Sequence, residues 1–398
     1  MTPGPGIART PLPKGFKASG VNCGVRKYRP DLGVIVSDRD AVAAGVFTTN
    51  ECKAAPVVYS QEMLPSAHIR AIVTNSGQAN AATGLQGIEN NRRMAAEASR
   101  WVGCRPHQIL TASTGVIGHQ LDIEKIVGAM PKLVEKAADS SEPFALAILT
   151  TDLVPKTVTT TVQLSQGEVR ITGICKGSGM IHPNMATMLG YVLTDAELPM
   201  DVAKTLLQET NKISFNMISV DGDTSTNDCV FLLANGASGA GLVTDDDHRL
   251  FKQAMTGVMQ VLAKSIARDG EGADKLIEVN VIGAPSQEIA DTAARGVVTS
   301  PLIKSAMHGQ DPNWGRILAK LGAVRVPSKA LEKMKLQMQG ALLFDNGAPV
   351  AFDRTDVRVL LKQDTVKVDI DLRSGEFQAT AWGCDLSKRY VDINAEYN

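Results

Sequence analysis

The chain has 398 residues, with 41 Lys and Arg against 42 Asp and Glu and a formal charge of −1. That balance gives no electrostatic reason to expect nucleic acid or an anionic membrane as a partner, and an aromatic content of 4% argues against a base-stacking surface. The length exceeds what one ordinary hydrophobic core accommodates, so two domains are expected.

Residues 1–20 are rich in Pro and Gly and read as an irregular arm. From Leu32 to Thr49 the text is strand-like, and "IRAIVTNSGQANAATG" (69–84) is an apolar run ending in a Gly/Asn loop. A helix is predicted over 88–102, with Ile88, Ala95, Ala98, Trp101 and Val102 on its apolar face. "ILTASTGVIG" (109–118) repeats the run-then-loop plan, and helices follow over 122–137 and 143–149. "TVTTTVQL", "EVRITGIC" and "MLGYVLTDA" read as strands, then a helix over 201–212, then "MISVDGDTSTNDCVFLLANG", polar first and buried later. The helix over 247–268 repeats Phe251, Met255, Val258, Leu262 and Ile266 at helical spacing, and Asp269-Gly270 stops it. After the strand "KLIEVNVIGA", helices are predicted over 286–295 and 300–306. The part beyond about 280 is β-rich: Val366, Val368, Ile370 and Leu372 alternate with charge, "RSGE" turns, and Phe377, Ala379 and Ala381 alternate back, which reads as a hairpin with one wet face. Runs of strands with helices between them give a mixed α and β class.

The six cysteines, Cys23, Cys52, Cys104, Cys175, Cys229 and Cys384, form no CxxC pair, so neither a zinc site nor a disulfide framework is expected. No metal and no cofactor are expected. The N-terminus lacks the features of a secretory signal or an amphipathic presequence, and no apolar run reaches membrane-spanning length. A cytoplasmic protein is the expectation.

Polar Gly-loops after apolar runs are where small-molecule sites are built. Here they are "NSGQANAATG", "STGVIG", "KGSGMIHPN", "DGDTSTND" and "GQDPNWGRI". There is no GxSxG elbow, no HExxH and no Walker loop. His182 would be the obvious base beside Thr187, but a His before Pro in a loop more often bonds locally. "DDDH" (245–248) fits a helix cap better than a metal site, and Trp314 reads as a packing residue. Thr187 stands directly after Ala186, at the junction of a loop and a strand. A threonine hydroxyl needs a base before it is a nucleophile. A cut just before Thr187 would provide one, because a free α-amine has a pKa of about 7.7–8.0. The Thr187 hydroxyl could make that cut itself by attacking the Ala186 carbonyl to give an ester that water opens. Taken alone, Thr187 reads as an ordinary threonine at the start of a strand.

The chain resembles the glutamate N-acetyltransferase (ornithine acetyltransferase) family of arginine biosynthesis. The resemblance rests on "NSGQANAATG", "STGVIG", "LTTDLVPK", "CKGSGMIHPNMATML", "SVDGDTSTND", "ARDGEGADK", "GQDPNWGRI" and "INAEY", which occur in that order over nearly the whole chain. It implies a layered α-β-β-α sandwich with a smaller C-terminal α/β domain, of the type shared with DmpA-like aminopeptidases. It implies self-cleavage between Ala186 and Thr187 into an α chain of 1–186 and a β chain of 187–398, assembled as an α2β2 heterotetramer. The implied reaction moves acetyl from N2-acetylornithine to Thr187 and then to glutamate. Some members also accept acetyl-CoA. Residue by residue, Thr187 is the implied nucleophile, Thr114 and Gly115 the oxyanion hole, and Lys176, Glu271 and Asn394 the substrate contacts, joined by one of Thr150 and Thr151. Relatives end with a small hydroxyl residue shortly after the Tyr of "INAEY", whereas this chain ends at Asn398, which is carried into that position. Two other functions remain open. One is an aminopeptidase of similar fold with a self-generated N-terminal nucleophile, and the other is an uncut small-molecule binding protein.

Overall fold

The computed structural model describes residues 10–182 and 188–395. The expected cleavage pair Ala186 and Thr187, and the terminal Asn398, lie outside the described residues. In chain order the strands are β1 (Phe16–Val21), β2 (Leu32–Phe47), β3 (Ser66–Gln78), β4 (Ile109–Val116), β5 (Lys156–Leu164), β6 (Gly167–Lys176), β7 (Leu189–Thr194), β8 (Ile218–Ser219), β9 (Cys229–Ala234), β10 (Leu276–Ala284), β11 (Lys335–Met338), β12 (Ala341–Asp345), β13 (Ala348–Pro349), β14 (Thr365–Asp371) and β15 (Phe377–Cys384). The helices are α1 (Ala55–Met63), α2 (Gly84–Val102), α3 (Ile123–Glu135), α4 (Glu142–Ala147), α5 (Met200–Lys212), α6 (Asp245–Arg268), α7 (Gln287–Thr299), α8 (Pro301–His308), α9 (Trp314–Ala323), α10 (Ser328–Leu331), α11 (Arg354–Leu360) and α12 (Lys388–Ala395). The fold is mixed α and β with two sheets, as expected. Its described residues divide into a first unit (10–177, 188–211 and 224–262) and a second (178–182, 212–223 and 263–395). Among the described residues no helix is long and apolar enough to cross a membrane.

The sheet of the first unit runs β4-β3-β2-β9-β7-β6-β5, with β1 also on β2. Both its faces are covered. Ile35, Ile72, Leu110, Tyr191 and Phe231 join Phe144 of α4 on one face. Val34, Ala71 and Val73 join Met94 and Ala98 of α2 and Ile126 and Met130 of α3 on the other. Burial on two sides is why these strands read as continuous apolar runs rather than alternations. Tyr191 is fully buried, meets Phe144 edge-on at 4.8 Å and shares a 2.8 Å hydrogen bond with Thr74, so its hydroxyl is satisfied in the core. β7 lies inside this sheet, parallel to β9 with Leu189 opposite Cys229, and antiparallel to β6 with Leu189 opposite Lys176.

The helix α2 departs from the expected face. Gly87, Asn91, Met94, Ala95 and Ala98 are buried, whereas Ile88 and Trp101 are 37% and 44% exposed. At about 100° per residue, Trp101 lies roughly 140° round the helix from Ile88, so the two cannot share one narrow stripe. Trp101 instead donates its indole N–H to Glu97 at 2.8 Å, one turn back.

The sheet of the second unit runs β13-β12-β11-β14-β10-β15-β8. Here the expected hairpin is corrected. β14 and β15 do not pair, because β10 stands between them, parallel to β14 (Ile277 opposite Val366) and antiparallel to β15 (Ile277 opposite Gly383). Alternation fixes which face a residue takes but not which strand is its neighbour, and the apolar β10 takes the interior position. The wet face itself is present on β14, where Lys367 is exposed between buried Val366 and Val368. Trp314 begins α9 and packs on Phe344 with ring centres 5.3 Å apart, as expected of a packing residue.

Candidate functional site

The ends of β3 and β4 carry the first group. They run parallel with Gly77 opposite Gly115. Gly115 has φ +132°, and a Cβ there would lie 2.2 Å from the Gly77 carbonyl carbon, so no side chain fits. The segment before it is clamped. Ser113 Oγ donates to Asn75 Oδ1 at 2.6 Å, and Asn227 Nδ2 donates to the carbonyls of Ala79 and Ser113 at 2.6 and 2.9 Å. Thr114 is thus a buried hydroxyl beside a fixed glycine amide, the kind of preorganised donor pair that suits developing negative charge.

Lys176 ends β6, and its ammonium is buried with the same group. Its Nζ donates to Thr150 Oγ1 at 2.7 Å and to Thr114 Oγ1 at 3.4 Å. Of Thr150 and Thr151, Thr150 is therefore the residue whose hydroxyl meets Lys176. Behind it lies Asp152, buried and 3.7 Å from Lys176 Nζ. Asp152 also accepts from Lys156 Nζ at 2.8 Å, the Gly177 amide at 2.7 Å and the Thr150 amide at 3.1 Å. Burial alone would raise its carboxyl. The Lys176 and Lys156 ammoniums, with the Gly177 amide, outweigh that and hold it well below the usual carboxylate range. The sequence reading missed Asp152 and Lys156. Their i, i+4 spacing inside "TTDLVPK" was the available signal, but i, i+4 contact is a helical inference and this stretch runs from a loop into β5.

The second unit holds the other candidates and residues 178–182. Glu271 is buried and accepts from Asn394 Nδ2 at 2.8 Å, so the two expected substrate contacts meet. The Glu271 amide donates to the Ser178 carbonyl at 3.0 Å. A Cβ on Gly179 would fall 2.3 Å from the Glu271 carboxyl carbon, so that glycine leaves room for the carboxylate. Asp221 accepts the amides of Met180 and Ile181 at 2.6 and 2.9 Å. His182 Nδ1 lies 3.3 Å from Ser219 Oγ, and burial lowers its basicity. That partner is 37 residues away in sequence, so the bond is not the local one expected of His182.

The remaining clusters have structural explanations. In "DDDH", Asp247 accepts from the amide and hydroxyl of Ser165, both at 2.7 Å, and from the Thr244 amide at 3.0 Å, at the start of α6. Among the described residues one group, Asp274, His308 and Asp385, has metal-like proximity. Asp385 spends its oxygens on His308 Nδ1 at 2.8 Å and on the amides of Asp274 and Lys275 at 2.9 and 2.8 Å. All six cysteines are free thiols.

The sequence matches the model of the ArgJ family over residues 17–398. It is 44% identical over 394 residues to the arginine biosynthesis bifunctional protein ArgJ of Thermotoga neapolitana, covering 97% of this chain and 99% of that one. It is also 44% identical over 388 residues to the ArgJ protein of Bacillus licheniformis, covering 97% and 95%. Among solved structures it is similar to the arginine biosynthesis bifunctional protein ArgJ of Bacillus halodurans, with 39% identity and a TM-score of 0.51. That match covers 52% of this chain and 99% of the solved chain.

Proposed function

The chain belongs to the ArgJ family of arginine-biosynthesis acyltransferases, and on that premise we propose that it transfers acetyl from N2-acetyl-L-ornithine to L-glutamate through an acetyl ester on Thr187. The observation that carries the reading is the buried Lys176 ammonium, 2.7 Å from Thr150 Oγ1 and 3.4 Å from Thr114 Oγ1, on a strand end paired with Leu189. Leu189 is two residues beyond the proposed nucleophile, so an acidic amino acid's carboxylate has a buried cation near the chemistry. Desolvated ion pairing of this kind favours an α-amino acid over a neutral acyl donor.

In the proposed cycle, self-cleavage before Thr187 yields chains of 1–186 and 187–398. The new α-amine takes the Thr187 hydroxyl proton as Oγ attacks the acetyl carbonyl of acetylornithine. Thr114 Oγ1–H and Gly115 N–H hold the oxyanion, a contribution typically worth about 10²–10³ in rate per donor. Ornithine leaves, glutamate enters, and its amine takes the acetyl group by the reverse steps. Lys176, Thr150, Glu271 and Asn394 are the proposed substrate contacts, with Asn398 in the place of the usual terminal hydroxyl residue. The cycle needs no cofactor, because Thr187 carries the acetyl group; acetyl-CoA would serve as an alternative donor. We place the enzyme in the cytoplasm as an α2β2 assembly of its own two chains.

Intact-mass analysis of the purified protein tests the cut: two species dividing at 186/187 are expected, and Thr187→Ala should run as one. Transfer of labelled acetyl from acetylornithine to glutamate tests the reaction. Release of acetate at the same rate without glutamate would instead support the aminopeptidase-like hydrolase.

A further inference from the structure

Asp274, His308 and Asp385 reach one point of the second unit from three separate segments. Asp274 lies in the loop after α6, His308 ends α8, and Asp385 directly follows β15. Each offers one ligand atom, and the three atoms lie within 4.8 Å of one another. His308 Nδ1 is 2.8 Å from Asp385 Oδ2 and 3.6 Å from Asp274 Oδ2. The hydrogen bonds of Asp385 explain its own place. They do not explain a second carboxylate facing the same ring nitrogen.

The charge at this point is unbalanced. Asp385 is buried, and among the described residues its one ion-pair partner is His308, which is cationic only when doubly protonated. Even then a single positive charge faces two carboxylates. The nearby Lys304 ammonium is spent on the Val220 and Cys384 carbonyls. A buried carboxylate wants a cation, and a divalent ion would offset both carboxylates at once. The spacing suits one. Two ligands of a tetrahedral zinc ion, each about 2.0–2.2 Å from the metal, stand about 3.4 Å apart. The 3.6 Å separation already matches, and the 2.8 Å one needs to open by about 0.6 Å to reach it. Asp385 Oδ1 is held by the amides of Asp274 and Lys275 at 2.9 and 2.8 Å, which orients Oδ2 as an outer shell orients a ligand. Asp274 and His308 are half-exposed, so an ion can enter from water.

We propose that Asp274, His308 and Asp385 bind a divalent transition-metal ion of the zinc class, with water as the fourth ligand. One imidazole nitrogen and two carboxylate oxygens are a donor set that such ions accept. On binding, the Nδ1 proton passes to solvent and its electron pair goes to the ion, while both carboxylates stay ionised. The ion ties the loop after α6 to the ends of α8 and β15. It is structural and takes no part in acyl transfer. The expectation of no metal rested on cysteine spacing, and this set contains no cysteine and no short motif.

The test is titration of the full chain, stripped of metal with EDTA and dialysed, with Co2+ and then Zn2+. All three ligands follow residue 187, so the result does not depend on the cut. Visible Co2+ bands should saturate at one equivalent per chain without a near-ultraviolet thiolate band, and Zn2+ should displace the Co2+. Saturating Zn2+ should raise the thermal midpoint by several degrees. Asp274→Ala and His308→Gln should each weaken Co2+ binding at least about tenfold and remove that rise. The Gln variant keeps a donor for Asp385; should it fail to fold, Asp274→Ala decides alone, since its carboxylate is half-exposed. The absence of saturable binding, a thiolate band, or parental affinity in Asp274→Ala would each overturn the proposal.

Discussion

Replacing Asp152 by Asn strikes the carboxylate that sits between two buried ammoniums. Lys156 Nζ is 2.8 Å and Lys176 Nζ 3.7 Å from its oxygens, and the side chains of Asp152, Lys156 and Lys176 are 0%, 1% and 5% exposed. The substitution keeps the shape and leaves two cations facing each other out of water. Removing one partner of a buried pair typically costs about 3–5 kcal/mol. For a domain of this size each kcal/mol moves the midpoint about 2–4 °C, so a fall of about 6–20 °C is expected. The measurement belongs in the Thr187→Ala background, where the chain stays single and unfolding is not confounded by dissociation. Adding Lys156→Met should recover part of the loss, because it removes one of the uncompensated charges. The pH sense follows from the depressed carboxyl of Asp152. Its stabilisation is fully present above the unfolded carboxylate pKa of about 3.9 and is lost as pH falls towards the lower folded value. The Asn variant should therefore lose less stability on acidification than its parent. A midpoint within about 2 °C of the parent, or a Lys156→Met addition that lowers it further, would refute the ion cluster as the support of Lys176.

Gly115→Ala should reduce acetyl transfer by more than about 100-fold, because a Cβ 2.2 Å from the Gly77 carbonyl carbon must displace the amide proposed to face the oxyanion; steady-state kinetics on the folded variant checks this. Lys176→Met should raise KM for acetylornithine and glutamate by at least about tenfold, whereas an unchanged KM would place the carboxylate elsewhere. Asn394→Ala frees Glu271 Oε2 from its 2.8 Å bond, and a rise in KM of about 3–10-fold with kcat largely kept is expected. Lys304→Met should lower the thermal midpoint of the second unit by several degrees, because its ammonium donates to the Val220 and Cys384 carbonyls at 2.6 Å each and both would be left buried without that donor.

What could be read from the sequence divides along a physical line. Properties written in consecutive residues were legible. The helices over 201–212 and 247–268 appear as Met200–Lys212 and Asp245–Arg268, and the stop at Asp269-Gly270 ends the second where expected. Glycines that mark close backbone approach, such as Gly115 against Gly77, also sit in the loops singled out as site-bearing. Properties that depend on which strand lies beside which were not legible. β14 and β15 are neighbours in sequence with a turn between them, yet β10 separates them, and no local pattern encodes that interposition. The same limit hid the site's supporting charges. Asp152 looks like a loop aspartate until β6 delivers Lys176 and Gly177 to it from 25 residues away. Asp228 looks like the polar end of a turn until β9 lies parallel to β7 and sets it beside Met188. A carboxyl's chemistry follows from its neighbours. Two buried ammoniums and two amides hold Asp152 well below the usual carboxylate range, whereas burial pushes Asp228 well above it. Two buried aspartates thus shift in opposite directions according to what faces them. That contrast is why Asp152→Asn, which takes the one carboxylate away from two buried ammoniums, is expected to cost stability.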